Sequence, residues 1–323
     1  MPSPNAVFTE LVSTTFRKHS KEIKDNISKN NALLARIMGK KQTRKEDGGL
    51  SIVTPLDYAA NGTYQRYSGY DVLNVAASDV ISAAEFQWRQ IAINVVASGL
   101  ELRTNSGDSR IVNLVKARMK NAIRTFKNNF SGDLYSDGTL PNQINGIQAL
   151  ISDTGSGTVG GIDSSAWPFW RNQVQSAAAP LQGGGAITPS ASTMESLMLP
   201  LWLALVRGDD SPDLIVADNN YFSFYEQSQT SLKRYTNSDS ASGGFVSLKY
   251  KQADVIFDGG SGIPTNRMYF VNTDYIELVT HSDADMAIMD EMKPYNQDAA
   301  VVPILWMGNL VTGNRSLQGV LKP

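Results

Sequence analysis

The chain has no cysteine, and only two of its 323 residues are histidines, His19 and His281. Zero cysteine excludes a disulfide framework, a zinc ribbon, iron–sulfur ligation and thiol catalysis. Two histidines are too few for a three-histidine metal site. A Ser-His-Asp triad could be built only on one of them. Long apolar runs are also missing. The longest, Leu197–Val206, is ten residues and contains Pro200, against roughly 20 for a bilayer span. The first sixteen residues include Glu10 and lack a basic start followed by an apolar run, so they do not read as a signal peptide. The expectation is a soluble protein made in a cytoplasm. The 41% hydrophobic content suffices for a sizeable core, in two domain-sized units or one elaborate unit.

Net charge is nearly absent too: 29 Lys and Arg against 31 Asp and Glu give −2. The balance hides an asymmetry. Residues 1–46 hold ten basic residues and four acidic ones, a charge of +6, which leaves −8 on the remainder. A basic amino-terminal arm on an acidic body suits contact with nucleic acid or an acidic neighbour, and equally suits a solvated helix. The arm has too little apolar material for a core of its own.

After Gly48-Gly49 the composition changes. Tyr64–Ala76 and Ala84–Ala97 are rich in aromatic and β-branched residues, which predicts two long strands joined near Ala77–Ala83. A two-stranded ribbon is marginal alone and needs a surface to lie on. A long helix follows, capped at Asp108 or Ser109 and stopped by Ser131-Gly132-Asp133. Ile111, Val115, Met119, Ile123, Phe126 and Phe130 form its apolar stripe. Its other face carries Arg110, Lys116, Arg118, Lys120, Arg124 and Lys127 and no acid. Beyond it, Ser192-x-x-Glu195 predicts a capping box on a helix to about Arg207, with a kink at Pro200. Asp213–Ala217 predicts a buried strand, and Asp218 the cap of a third helix. Further strands are expected at Lys249–Phe257, Arg267–Asn272, Tyr275–Val279, Trp306–Thr312 and Leu317–Leu321. Helices and strands mix without βαβ alternation, so the class is α+β.

Catalytic templates fail on context. Gly155-x-Gly157-x-x-Gly160 matches a dinucleotide fingerprint, but no helix pattern opens after it and no acid follows about 20 residues on. Gly208-Asp209-Asp210 follows a helix and precedes Ser211-Pro212, which reads as a turn rather than a metal-binding hairpin. His281, Asp283, Asp285 and Asp290 have no metal-site spacing. Gly183-Gly184-Gly185 lacks the Gly-Lys-Ser/Thr of a phosphate loop. No catalytic residue, cofactor or metal is expected.

The order of parts resembles that of tailed-bacteriophage major capsid proteins, the Hong Kong 97 fold. Gly160-Gly161-Ile162-Asp163-Ser164-Ser165 followed by Phe169-Trp170-Arg171-Asn172 is similar to a segment of one branch of that family. The resemblance implies an α+β fold with an amino-terminal arm (1–48), an extended β-hairpin loop (49–100), a peripheral domain with the spine helix (101–150), an axial domain (151–290) and a return to the peripheral domain (291–323). It implies a structural protein that forms pentamers and hexamers of an icosahedral shell around double-stranded DNA, located in the virion after assembly in the host cytoplasm. It also implies a separate scaffolding protein, a portal and a decoration protein as partners. Subunit contacts are expected at Arg17, Lys18, Lys21, Lys24, Arg36, Lys40, Lys41, Tyr64, Arg66, Tyr67, Tyr70, Phe86 and Trp88. The aromatic members could equally be pairs within the ribbon. The six basic residues of the long helix are expected to face DNA or acidic neighbours. The type member crosslinks through a lysine on the extended loop, but residues 48–102 contain no lysine, so a non-covalent shell is expected. An encapsulin-like compartment shell, a nucleotide-binding enzyme and a carbohydrate-binding tail or fibre protein are the rival readings.

Overall fold

The computed structural model describes residues 31–104, 108–229, 247–258 and 262–323. Two sheets and one long helix organise them. A five-stranded sheet has the order 43–46, 276–281, 299–312, 287–288, with 89–98 pairing the remaining stretch of 299–312. A six-stranded sheet runs 173–176, 319–322, 268–271, 214–217, 253–257, 247–250. The chain thus enters the second sheet from several separate regions, and its last strand, Gly319–Lys322, lies between Gln173–Ser176 and Met268–Val271.

Leu214–Ala217 is buried at all four positions, as a central strand covered on both faces must be. Alternation sorts its side chains. Leu214 and Val216 join the larger core, which holds Trp306, Phe126 and Phe130. Ile215 and Ala217 join a second core under the helices Met194–Leu205 and Asn219–Ser228. Asp218 caps the latter helix as its sequence predicts, accepting from the Tyr221 N–H at 3.0 Å.

The long helix runs Asp108–Asp133, about 39 Å at 1.5 Å per residue. Met119, Ala122, Phe126 and Phe130 are buried. Phe126 stacks on Phe130 at 5.4 Å, and Phe130 meets Trp306 of the five-stranded sheet edge-on at 5.0 Å. The 3.6-residue pattern thus places one stripe on the sheet and leaves Lys120 and Arg124 in solvent.

Three local expectations are corrected. The ribbon pairs Ile52–Asp57 with Ile81–Phe86, not 64–76 with 84–97. Arg89–Ser98 instead pairs antiparallel with Ala299–Gly308 over ten residues, where Val95 and Ala97 gain burial that a bare ribbon cannot supply. Lys249–Phe257 is two strands, Ser247–Tyr250 and Ala253–Phe257, turned at Lys251 with φ 54°. The capping box at Ser192 is not formed. Thr193 precedes the helix without a side-chain cap, its hydroxyl donating to the Thr188 carbonyl, and Glu195 accepts from Gln229 instead.

The described end of the basic arm is part of the body. Ala32–Gly39 is a helix whose Leu33, Leu34 and Ile37 are buried. Asn31 caps it, accepting from the Leu34 N–H at 2.9 Å, and donates to Ser131 Oγ of the long helix at 2.6 Å. Thr43–Glu46 then pairs parallel with Leu278–His281.

Candidate assembly surface

Beyond the ribbon, residues 58–80 form a finger with no strands. The Tyr58 N–H bonds the Val80 carbonyl at 3.0 Å and closes its neck. Further out, side chains replace a β-ladder. Gly62 N–H donates to Ser78 Oγ, Asn74 Nδ2 to the Gly62 carbonyl, and Gln65 Nε2 to the Val72 carbonyl. Asn74 N–H donates back to Gln65 Oε1, and Ser68 N–H to Asp71 Oδ2 closes the tip. These bonds hold an extended shape while little is buried. Tyr64, Tyr67, Tyr70, Val72, Leu73 and Val75 are exposed, Tyr70 completely. Exposed apolar side chains gathered on a segment without a core make the finger the candidate interaction site. Val72, Leu73 and Val75 were not singled out by sequence reasoning; their signal was an apolar run that contributes to no ladder.

The finger's seat is built by the Gly160–Asn172 segment. Thr158–Val159 and Ile162–Asp163 form a short hairpin over Gly160 and Gly161, with φ of 59° and 77°. The Gly160 carbonyl accepts the Glu85 N–H at 2.9 Å. A Cβ on Gly160 would stand 2.8 Å from Ala84 Cβ and 3.0 Å from Phe86 Cζ. Glycine there permits both the left-handed backbone and the close approach. Trp170 Nε1 donates to the Val159 carbonyl at 2.9 Å, and Arg171 Nε to the Ser164 carbonyl at 2.8 Å.

Asn172 exchanges bonds with the Ser152 main chain, donating at 2.9 Å and accepting at 3.1 Å. It also accepts from Arg315 Nη2 at 3.0 Å. Arg315 is wholly buried. Its Nε donates to the Leu150 carbonyl, Nη1 to Ser164 Oγ and the Trp170 carbonyl, and Nη2 to Ser152 Oγ and Asn172 Oδ1. Five donors thus meet five neutral acceptors. Burial lowers the guanidinium to about 10, so it stays charged at neutral pH. The glycine fingerprint and the Phe-Trp-Arg-Asn run are therefore one structural joint beneath the ribbon.

Arg17, Lys18, Lys21 and Lys24 lie outside the described residues. Arg36 lies 3.1 Å from Asp213 and 3.3 Å from Asp254; Lys40 lies 3.2 Å from Asp213 and 2.8 Å from Asp274. All these partners are in the same chain, and Lys45 pairs Asp285 at 2.9 Å. Lys41 and Arg66 are exposed. Phe86 is buried under Gly160, whereas half-buried Trp88 donates to the Gly49 carbonyl at 3.0 Å and meets His281 edge-on. On the long helix, Arg118 pairs Glu101 at 2.6 Å, which holds the Glu101 carboxyl down at about 2. Burial lowers Lys127. The side chains of Arg110 and Lys116 lie outside the described residues. His281 Nδ1 accepts the Asp283 N–H at 3.1 Å, and Asp210 accepts from Tyr275 Oη at 2.9 Å.

No protein-family model and no curated protein matches the chain. Solved structures do. The cyanophage A-1(L) capsid asymmetric unit superposes with a TM-score of 0.62 at 15% identity, covering 87% of this chain and 90% of that one. The Mycobacterium phage Bobi structure gives 0.53 at 8% identity over 88% and 89%. The capsid of an empty GTA particle gives 0.52 at 13% identity over 88% of each chain. With its two sheets, long helix and projecting ribbon, the chain has the Hong Kong 97-type fold of tailed-phage capsid subunits.

Proposed function

We propose that the chain is the major capsid protein of a tailed bacteriophage, assembling as pentamers and hexamers into an icosahedral shell around the DNA genome. The observation that carries this reading is the finger at 58–80: an extended, hydrogen-bonded projection whose tyrosines and aliphatic side chains find no core among the described residues, on a fold shared with capsid subunits. Burying those side chains against a second copy is worth about 25 cal/mol per Å² of apolar surface. The role is structural rather than enzymatic.

In this reading residues 1–48 are the arm, 49–100 the extended loop, 101–150 the peripheral domain with the spine helix, 151–290 the axial domain and 291–323 the return to the peripheral domain. Exposed Lys120 and Arg124 are available to phosphates, a sequence-independent contact. The partners are other copies of the chain, a scaffolding protein, a portal and a decoration protein, and the location is the virion. With no lysine in residues 48–102 the loop supplies no amine for an amide crosslink, and in this reading the shell is held by non-covalent contacts. The test is expression with and without residues 61–78, followed by electron microscopy and a denaturing gel. The reading expects hollow particles from the full chain, none from the deletion, and only monomer bands on the gel. Particles filled with protein and devoid of DNA during infection would favour a cargo compartment instead.

A further inference from the structure

At the neck of the finger, three aromatic rings and two carboxylates share one cavity. Tyr58 meets Trp167 edge-on at 5.6 Å and lies 5.8 Å from Phe169; Trp167 and Phe169 are 6.2 Å apart. With Asp79 and Asp163 they line a space of about 370 Å³. Trp167 is 48% exposed, so the space is open to solvent. Asp163 accepts the Ser165 N–H at 2.8 Å. Among the described residues neither carboxylate has a cationic partner. Aromatic faces attract cations, most strongly at Trp, and the carboxylates add charge of the same sign. An anion is repelled from such a space, and a purely apolar group would strip water from two carboxylates without replacing it. A guanidinium fits both demands, because its plane stacks on rings while its N–H groups reach carboxylates.

The ribbon and finger supply a single such group. Between Glu46 and Arg89 the sequence has one cation, Arg66, against Asp47, Asp57, Asp71, Asp79 and Glu85. Arg66 is exposed and makes no hydrogen bond or ion pair among the described residues. The Gly62–Ser78 and Gln65–Val72 bonds keep it in the outer part of the finger, beyond the neck of its own chain.

We propose that Arg66 of one copy enters the Tyr58–Trp167–Phe169 space of a second copy and pairs there with Asp79 and Asp163. The contact is heterologous, finger to neck, and repeats around a closed ring. It deepens the shell reading and rests on it.

The test compares full-length wild type with R66A, R66K, R66D and the swap R66D with D79R, reading the protein concentration at which particles appear by sedimentation. Subunit melting curves check that each variant folds; Arg66 is exposed, so they are expected to match wild type. R66A raises the threshold at least tenfold, R66K less, and R66D most. The swap returns the threshold toward wild type, and D79N with D163N reproduces the R66A defect. R66A and R66D assembling at the wild-type threshold, or a swap no better than R66D, overturns the contact while leaving the shell reading intact. A wild type that forms no particles even with scaffolding protein supplied overturns both.

Discussion

The Glu85 N–H donates to the Gly160 carbonyl at 2.9 Å, tying the return strand of the ribbon to the glycine hairpin. The joint leaves no room for a side chain at Gly160. Gly160→Ala must place a Cβ in a left-handed conformation and against Ala84 and Phe86. A cost of about 1–3 kcal/mol is expected. Urea denaturation measures it, and limited proteolysis should cut first within the loosened ribbon.

Arg315 is the second part of that joint. Arg315→Met keeps much of the bulk but leaves the Leu150 and Trp170 carbonyls without the Arg315 donors in a buried place, while the Asn172 oxygen keeps the Ser152 N–H. Each orphaned carbonyl costs about 1–3 kcal/mol, so a total of about 2–6 kcal/mol is expected. Arg315→Lys restores only part of it, because an ammonium cannot span acceptors set for a planar fork. Chemical denaturation of both variants checks the order.

The Glu101–Arg118 pair gives a pH signature. The Glu101 carboxyl drops from 4.5 to about 2 in the folded chain, chiefly through the Arg118 hydrogen bond. A depressed carboxyl stabilises above its unfolded value and loses that contribution as pH falls through the folded one. Glu101→Gln should therefore be less stable than wild type at pH 7, with the gap closing between pH 4.5 and 2. Urea midpoints across that window measure it; a gap independent of pH contradicts the assignment.

Replacing Tyr64, Tyr67 and Tyr70 together by Ser separates folding from assembly. All three are exposed, so subunit stability should change by less than about 0.5 kcal/mol per site. Particle formation should be lost or require far higher concentration. A large drop in melting temperature would mean that the finger packs on its own chain.

Much of the fold could be read before the structure. The long helix announced itself through Met119, Phe126 and Phe130, and the helix after Asp218 through its cap. Local chemistry decides those features. The ribbon was harder. Ile52–Asp57 contains Pro55, which argues against a strand, yet it stands exposed opposite Ala83 on a two-stranded ribbon where no third strand needs its missing N–H. Conversely, the β-forming composition of 64–76 joins no ladder among the described residues, so periodicity alone misplaced it. Arg315 gave no sequence signal at all, because its five acceptors come from residues at least 143 positions away.

Electron microscopy of the purified full-length protein, with sedimentation across a concentration series, tests the shell reading most directly. Closed hollow particles built of pentamers and hexamers are predicted, dissociating to single chains in denaturant. A species that remains monomeric at every concentration, with scaffolding protein supplied, would contradict it.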